Sequence, residues 1–357
     1  MKIVSVVGAR PQFVKLAPIH KAALAAGVDH VIVHTGQHYD PMLSDVFFDD
    51  LGIGAPDVHL GVGSGSHGVQ TGAMLAALDA VFDEHRPDWV LVYGDTNSTV
   101  AAALSAVKMH IPVAHLEAGL RSFNRRMPEE HNRVMTDHAA DLLLAPTQVA
   151  VDHLEAEGLS ARTVLVGDVM TDVLFEVRDE VAGRPSMLLE ELDLEAEGYY
   201  VATIHRAENT DDPARLAEVA AGLAGLDKPV VLLAHPRVVA KAAAHGIPLT
   251  QGSLIAHPPL AYPDLIAAAL SSAGVVTDSG GLQKEAFLLG VPCTTVRTET
   301  EWVETVELGW NVLANTAEEI AAGVTRPRPQ ETAAAPYGDG HAATRVIEAL
   351  QSHGADI

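Results

Sequence analysis

Val90-Leu-Val-Tyr-Gly-Asp95 begins the stretch, residues 90–133, that decides the fold of this chain. Its apolar run predicts a buried strand, and the glycine predicts a tight turn that presents Asp95 directly after the strand. The next strand is predicted at residues 113–116 and is followed by Glu117. Because ligands of open α/β sheets bind at the carboxyl ends of the strands, we expect Asp95 and Glu117 to face the same crevice.

A third carboxylate, Glu129, follows Pro128 at the predicted start of a helix. A glutamate in the first turn is stabilised by the helix dipole, so Glu129 by itself has a structural explanation. Four arginines flank or follow this position: Arg121, Arg125, Arg126 and Arg133. We expect the three carboxylates and these arginines to converge on one rim, an arrangement suited to acid/base chemistry.

Strands and helices alternate strictly on both sides of this stretch. The chain opens with a predicted strand at residues 3–7, a turn at residues 8–11 and a helix from Phe13 to about Ala25. This alternation predicts the α/β class, with doubly wound parallel sheets. The opening turn lacks Gly-x-Gly-x-x-Gly, and no acidic residue for a ribose follows the second strand, residues 30–34. We therefore reject a dinucleotide-dependent redox enzyme.

Two basic residues, Arg10 and Lys15, belong to the predicted first turn and first helix. Both could reach an anion at the helix N-terminus, although a solvated surface pair explains them equally well. Residues 61–68 are rich in glycine and serine but do not end in Lys-Ser or Lys-Thr. They therefore predict a mobile loop and not a Walker nucleotide-binding loop.

The second half repeats the same architecture. One predicted strand ends before His205-Arg206 and another before His235-Pro-Arg237, which points to a functional carboxyl edge. A third strand is followed by Ser279, Gly280 and Gly281 at a helix start, where exposed backbone N–H groups form a cradle for a diphosphate. Glu285, one turn further, could accept hydrogen bonds from ribose hydroxyls.

The pattern divides the chain into three segments. Residues 1–172 form a predicted N-terminal Rossmann-like domain with the candidate catalytic carboxylates, and residues 173–335 form a second one that binds a nucleotide. A hinge is expected near residues 170–185, where charged residues and Pro185 replace strand signals. Residues 336–357 carry a final amphipathic helix, which follows a break at residues 336–340.

Composition excludes several classes of protein. The chain has 23 basic and 47 acidic residues, a formal charge of −24, which opposes nucleic-acid phosphates and anionic membrane surfaces. The start has too short an apolar run for a signal peptide, and no window reaches the length of a membrane helix. Cys293 is the one cysteine, so an intramolecular disulfide and a multi-cysteine metal site are excluded. We expect a soluble cytoplasmic protein.

Taken together, the motifs resemble those of the non-hydrolysing UDP-N-acetylglucosamine 2-epimerases. The resemblance covers essentially the whole chain through Gly8-Ala-Arg-Pro11 with Lys15, Gly94-Asp95-Thr96, His115-Leu-Glu117-Ala-Gly-Leu-Arg121, Pro128-Glu129-Glu130, Thr203-Ile-His205-Arg206, His235, Thr277-Asp-Ser-Gly-Gly-Leu-Gln283 with Glu285, and Pro336-Tyr-Gly-Asp-Gly340. It implies two Rossmann-like domains in a GT-B-type arrangement, with the active site between them. It also implies a homodimer and a final helix that returns to the first domain.

The resemblance also implies a reaction. Members of the family convert UDP-GlcNAc to UDP-ManNAc by eliminating UDP to leave 2-acetamidoglucal and adding it back, without a metal or a nicotinamide cofactor. By resemblance, the catalytic residues are Asp95, Glu117, Glu129 and His205, with His205 stabilising the departing diphosphate. The residues that bind the UDP-sugar substrate are by the same resemblance Arg10, Lys15, His235, Ser279, Gly280, Gly281 and Glu285.

The chain departs from the common family pattern at three places. Residues 37–43 differ in a segment that belongs to an allosteric substrate site in many bacterial members, residues 300–304 replace Thr-Glu-Arg-Pro-Glu, and Asn124-Arg-Arg126 fills a loop. Such variants resemble relatives that act on other UDP-2-acetamido sugars, including 2,3-diacetamido uronates. A GT-B glycosyltransferase, a binding-only sugar-nucleotide sensor and a hydrolysing enzyme are further alternatives.

Overall fold

The computed structural model describes residues 1–37, 53–330 and 332–353, with the backbone alone at Arg10. The helix predicted from Met42 to Leu51, and most of the variant segment 37–43, lie outside the described residues. The chain forms two compact units: unit 1 comprises Met1–Val173 and Ala335–Ile357, and unit 2 comprises Leu174–Ala334. No helix within the described ranges is long and apolar enough to cross a membrane.

Unit 1 contains a parallel sheet of seven strands in the order β3-β2-β1-β4-β5-β6-β7. The strands are β1 (Lys2–Val7), β2 (Asp29–His34), β3 (Val58–His59), β4 (Trp89–Tyr93), β5 (Val113–Leu116), β6 (Leu142–Ala145) and β7 (Thr163–Leu165). The order reverses direction between β1 and β4, which makes the crevice at their carboxyl ends the expected ligand position. Asp95 follows one of these two strands.

Helices cover both faces of this sheet, as its continuous apolar strands require. They are α1 (Arg10–Ala25), α2 (His67–His85), α3 (Asn97–Lys108), α4 (Pro128–Ala139), α5 (Gln148–Ala156) and the beginning of α6 (Val169–Glu180). Leu16 and Trp89 belong to the core on one face, and Met74 and Leu78 belong to the core on the other.

The C-terminal helix, α15 (Ala342–His353), packs on the same face as α1. The Asp172 carboxylate accepts hydrogen bonds from the amides of Ala342 and Ala343, at 3.0 and 2.7 Å, and so satisfies two donors at the N-terminus of this helix. At its other end, Trp89 Nε1 donates to the carbonyl of Leu350 at 3.1 Å. The C-terminal helix is therefore part of the unit 1 core.

Unit 2 contains a second parallel sheet, of six strands, in the order β10-β9-β8-β11-β12-β13. The strands are β8 (Tyr200–Thr203), β9 (Val230–Leu233), β10 (Leu254–His257), β11 (Gly274–Thr277), β12 (Cys293–Thr295) and β13 (Asn311–Leu313). The helices after α6 are α7 (Met187–Glu191), α8 (Ala207–Thr210), α9 (Pro213–Ala224), α10 (Pro236–Ala244), α11 (Tyr262–Leu270), α12 (Gly280–Leu288), α13 (Val303–Glu307) and α14 (Ala317–Thr325). Here the strand order reverses between β8 and β11, so His205 and Ser279 follow the two strands at the switch point.

Candidate active site

Asp95 lies in the turn after β4, at the carboxyl edge of the unit 1 sheet. Its half-buried carboxylate forms an ion pair with Arg133 from α4. Gly94, the residue before it, has φ +61°, and a Cβ atom there would lie 3.2 Å from Oε2 of Glu117. Glycine at this position adopts the positive φ without strain, and the absence of a Cβ atom leaves room for the Glu117 carboxylate beside the turn.

Glu117 lies directly after β5 and has φ +68°. A non-glycine residue in this left-handed region is strained, and such strain is held in place by surrounding contacts. Its carboxylate forms an ion pair with Lys15 of α1, and both side chains are largely buried. Burial alone would lower the pKa of Lys15, but the charge of Glu117 and their hydrogen bond raise it. Lys15 thus carries its charge beside a carboxylate; the side chain of Arg10 is outside the described residues.

The two adjacent glutamates at the start of α4 have different environments. Glu129 is exposed at the first turn, as the sequence predicts. Glu130 is buried: it accepts hydrogen bonds from the amides of Ser122 and Phe123, both at 2.9 Å, and contacts Arg133 at 3.0 Å. Burial alone would raise the pKa of Glu130, but these contacts lower it. Glu130 therefore fixes residues 122 and 123 of the loop before α4, whereas Glu129 is accessible to solvent.

The prediction that all four arginines converge on the rim is wrong for Arg121. Its guanidinium is almost fully buried and forms ion pairs with Asp137 and Glu157, each at 2.7 Å. The remaining two arginines of the loop, Arg125 and Arg126, are exposed. These buried ion pairs make Arg121 a structural residue. The acids that pair with it lie on α4 and just beyond α5, and the sequence alone does not indicate these contacts.

Unit 2 has a cavity of about 360 Å³ at the carboxyl ends of its central strands. Five of the residues predicted to bind the substrate or act on it line this cavity: His205, His235, Ser279, Gly281 and Glu285. The rest of the wall is mostly apolar and comprises Thr203, Ile204, Leu233, Pro259, Leu260, Tyr262, Leu265 and Leu282. Gly280 has a different environment, since a Cβ atom there would lie 2.3 Å from Oε1 of Glu301.

Asp278 is a residue of this site for which the sequence analysis gave no role. It is fully buried, and its carboxylate accepts hydrogen bonds from the amide of Arg206 at 2.9 Å and from Asn209 Nδ2 at 3.1 Å, and contacts His205 Nδ1 at 3.1 Å. Burial alone would raise the pKa of Asp278, but these contacts lower it. An aspartate in this position orients the histidine ring. Asp278 directly follows a strand, and that position is the sequence signal that could have identified it as a site residue.

Glu285 lies deeper in the cavity wall, in α12. It accepts a hydrogen bond from the hydroxyl of Tyr262 at 2.8 Å. Burial raises the pKa of Glu285, and the hydrogen bond from Tyr262 works against that rise. Among the described residues, no three His, Cys, Asp or Glu side chains are grouped so that they could hold a metal ion.

These features define an α/β protein with two doubly wound Rossmann-like units, one with acid/base groups at its strand ends and one with a polar-edged cavity at a helix N-terminus. The chain belongs to the UDP-N-acetylglucosamine 2-epimerase family, because the sequence profile of that family matches residues 21–351. The predicted membership and the predicted α/β fold are both confirmed. The enzyme class is accordingly that of an epimerase.

Individual relatives match over nearly their whole length. The chain is 44% identical to the UDP-2,3-diacetamido-2,3-dideoxy-D-glucuronate 2-epimerase of Pseudomonas aeruginosa, covering 98% of this chain and 99% of the relative. It is 42% identical to a UDP-N-acetylglucosamine 2-epimerase homolog of Methanococcus maripaludis, covering 99% and 100%. The crystal structure of Methanocaldococcus jannaschii UDP-GlcNAc 2-epimerase in complex with UDP-GlcNAc and UDP is similar, with a TM-score of 0.79 at 35% identity, covering 99% of this chain and 100% of that one.

Proposed function

We propose that the protein catalyses the reversible epimerisation of UDP-GlcNAc to UDP-ManNAc at C2, without net hydrolysis. The observation that carries the proposal is the position of Asp95 and Glu117 after neighbouring strands of one sheet. Inversion at one carbon needs an acid/base group for each of its two faces, and the two adjacent strand ends carry two carboxylates. Exposed Glu129 is the third candidate.

The proposed route has two halves. In the first, one carboxylate takes the C2 proton while the bond between C1 and the diphosphate oxygen breaks, which leaves 2-acetamidoglucal and UDP. In the second, the diphosphate oxygen returns to C1, and a different carboxylic acid delivers a proton to the opposite face of C2. The sum is an inversion at C2, in which no water is consumed.

Unit 2 supplies groups for the nucleotide. Within the described residues, the amides of Gly280 and Gly281 have no acceptor in the protein, and helix N-termini favour anions. His205, held by ionised Asp278, would stabilise charge on the departing diphosphate. Glu285 would accept hydrogen bonds from the ribose. We assign Arg10, Lys15 and His235 to substrate binding on the family resemblance.

Incubation of the protein with UDP-GlcNAc in deuterated water, followed by proton NMR, tests this function. We expect UDP-ManNAc to appear with deuterium at C2, because the abstracted proton exchanges with solvent before it is returned. An enzyme-dependent product without deuterium at C2 would exclude the elimination route. Free UDP with a reducing sugar would indicate a hydrolysing enzyme, and no change without an added acceptor would indicate a glycosyltransferase or a sensor.

A second substrate is favoured by a specific observation. The relative named as a diacetamido-glucuronate 2-epimerase is 44% identical to this chain, and Arg125 and Arg126 are exposed in the loop before α4. Their guanidinium groups could bind a sugar carboxylate. The same incubation with the UDP-2,3-diacetamido uronate decides between the donors, since the natural substrate is the one with the higher kcat/KM.

Tyr262→Phe is expected to weaken UDP binding about tenfold, because the hydrogen bond that a charged Glu285 would accept from a ribose hydroxyl is worth roughly 1.5 kcal/mol. The missing hydroxyl leaves Glu285 without its hydrogen-bond donor and favours its neutral form, a poorer acceptor for ribose hydroxyls. Isothermal titration with UDP measures the change. Tyr200→Phe is the matched control, because its hydroxyl contacts Asp227 at 3.1 Å and does not line the cavity. Equal affinities in the two variants would contradict the assignment.

A further inference from the structure

Three consecutive carbonyls at the end of β4 each accept a hydrogen bond from a buried side chain. The carbonyl of Tyr93 accepts from Gln12 Nε2 at 2.8 Å and from Thr99 Oγ1 at 2.7 Å. That of Gly94 lies 2.7 Å from His115 Nε2, and that of Asp95 accepts from Asn132 Nδ2 at 2.9 Å. Since buried carbonyls need hydrogen-bond donors, these side chains satisfy the carbonyls of the turn and fix its peptide groups.

His115 is the most constrained of these donors. It is fully buried in β5, and its Nδ1 lies 2.6 Å from Oδ1 of Asp137, which is also fully buried. A carbonyl oxygen can only accept a hydrogen bond, and so can an ionised carboxylate, so both ring nitrogens must donate. Both contacts are satisfied together when the ring carries a proton on each nitrogen.

The surrounding charges support this state. Asp137 also contacts Arg121 at 2.7 Å, and Arg121 contacts Glu157 at 2.7 Å, so the group beside His115 has two acids and one arginine. Burial alone would raise the pKa of Asp137, but His115 and Arg121 lower it, which keeps the acid ionised. The amide of Gly119 donates to its remaining oxygen at 3.1 Å. Asp137 thus stabilises a proton on Nδ1 of His115, and the proton on Nε2 is donated to the Gly94 carbonyl in the turn.

We propose that Asp137 and His115 form a positioning pair, in which a doubly protonated His115 holds the peptide that carries Asp95. The pair does not contact the substrate, and it acts through the Gly94 carbonyl on the direction of the Asp95 carboxylate. This role rests on the proposed function of Asp95. It differs from general core stability because its effect falls on the chemical step, where a small misplacement of a reacting group lowers the rate by about 10²-fold.

The kinetic test compares His115→Leu, which removes both donors, with His115→Gln, which keeps one donor for the Gly94 carbonyl. We expect kcat to fall about 10²-fold in the leucine variant, with the KM for the UDP-sugar and the Kd for UDP within threefold of those of wild type. The glutamine variant should recover most of the loss. Asn132→Ala, which removes the donor to the Asp95 carbonyl, should likewise lower kcat at unchanged UDP affinity, and it carries the test if the leucine variant does not fold.

A wild-type protein without epimerase activity would overturn the proposed function, whereas an active wild type with unchanged kcat in the His115→Leu and Asn132→Ala variants would overturn the positioning role alone. Nitrogen-15 NMR of protein labelled in histidine gives a readout that needs no turnover. The signals that disappear in His115→Gln should belong to a ring protonated on both nitrogens at neutral pH. A neutral ring would contradict the ion pair.

Discussion

Asp95→Asn is expected to lower kcat for epimerisation by at least about 10³-fold, within the range that acid/base groups contribute, and to abolish solvent deuterium incorporation at C2. The amide has the shape of the carboxylate but cannot take a proton, so the elimination loses its base or the return step loses its acid. The side chain of Asp95 is half-buried and forms an ion pair with Arg133, which orients it. Proton NMR in deuterated water measures both effects.

Asp83→Asn is the matched control, since Asp83 is exposed on α2 and its side chain has no contact with the site. This variant should retain the wild-type rate. Asp95→Asn should retain the affinity for UDP, because Asp95 does not line the unit 2 cavity that we propose to bind the nucleotide. A folded Asp95→Asn protein with kcat within tenfold of wild type would remove Asp95 from the mechanism.

Asp137→Ala is expected to reduce the free energy of unfolding by about 3–5 kcal/mol, the usual cost of breaking a buried ion pair by removing one partner. The substitution leaves His115 without its acid and removes one of the two acids paired with Arg121, in a part of unit 1 where both are almost fully buried. Native-state hydrogen exchange of peptides from α4 and β5 reports the loss for this unit separately. Asp152→Ala, at an exposed position of α5, is the control and should change stability little.

The difference in the free energy of unfolding between wild type and Asp137→Ala should depend on pH, and this dependence provides an internal check. The pKa of Asp137 is lowered in the folded protein, so its contribution is fully present above the ordinary value of about 3.9 and is lost as the pH falls through the folded value. The part of the gap between wild type and Asp137→Ala that comes from this charge should therefore shrink as the pH falls into the acid range. A gap that persists unchanged well below pH 4 would show that the aspartate stabilises the fold through packing and not through its charge.

Much of the fold could be predicted from local pattern. The strand at residues 113–116 has the predicted bounds, and the strands predicted at residues 3–7 and 30–34 each begin one residue earlier. The helix after the first turn begins at Arg10 and not at Phe13, because Pro11 is favoured in a first helical turn. The short strand Val58–His59 was not predicted, since two residues are too few for a periodic signal.

Candidate site residues could be predicted where a strand end marks them. Asp95, Glu117, His205 and Ser279 all follow strands, and the structure places each of them at the carboxyl edge of its sheet. The sequence does not show their partners. From the sequence, Lys15 could reach an anion or belong to a solvated surface pair, and the structure pairs it with the carboxylate of Glu117, which lies 102 residues away in the chain. Their catalytic and binding roles remain the predictions that the experiments above test.

The sequence by itself determined the α/β class, the alternation of strands and helices, the family and the residues at the strand ends, because hydrophobic periodicity and turn residues act over short distances along the chain. Only the tertiary structure decided which charges meet. Arg121 is buried in an ion pair with Asp137, and Asp278 contacts His205. His115 forms a hydrogen bond with the turn that carries Asp95. Ion pairs and hydrogen bonds depend on distances in space, and these are set by the packing of segments far apart in sequence.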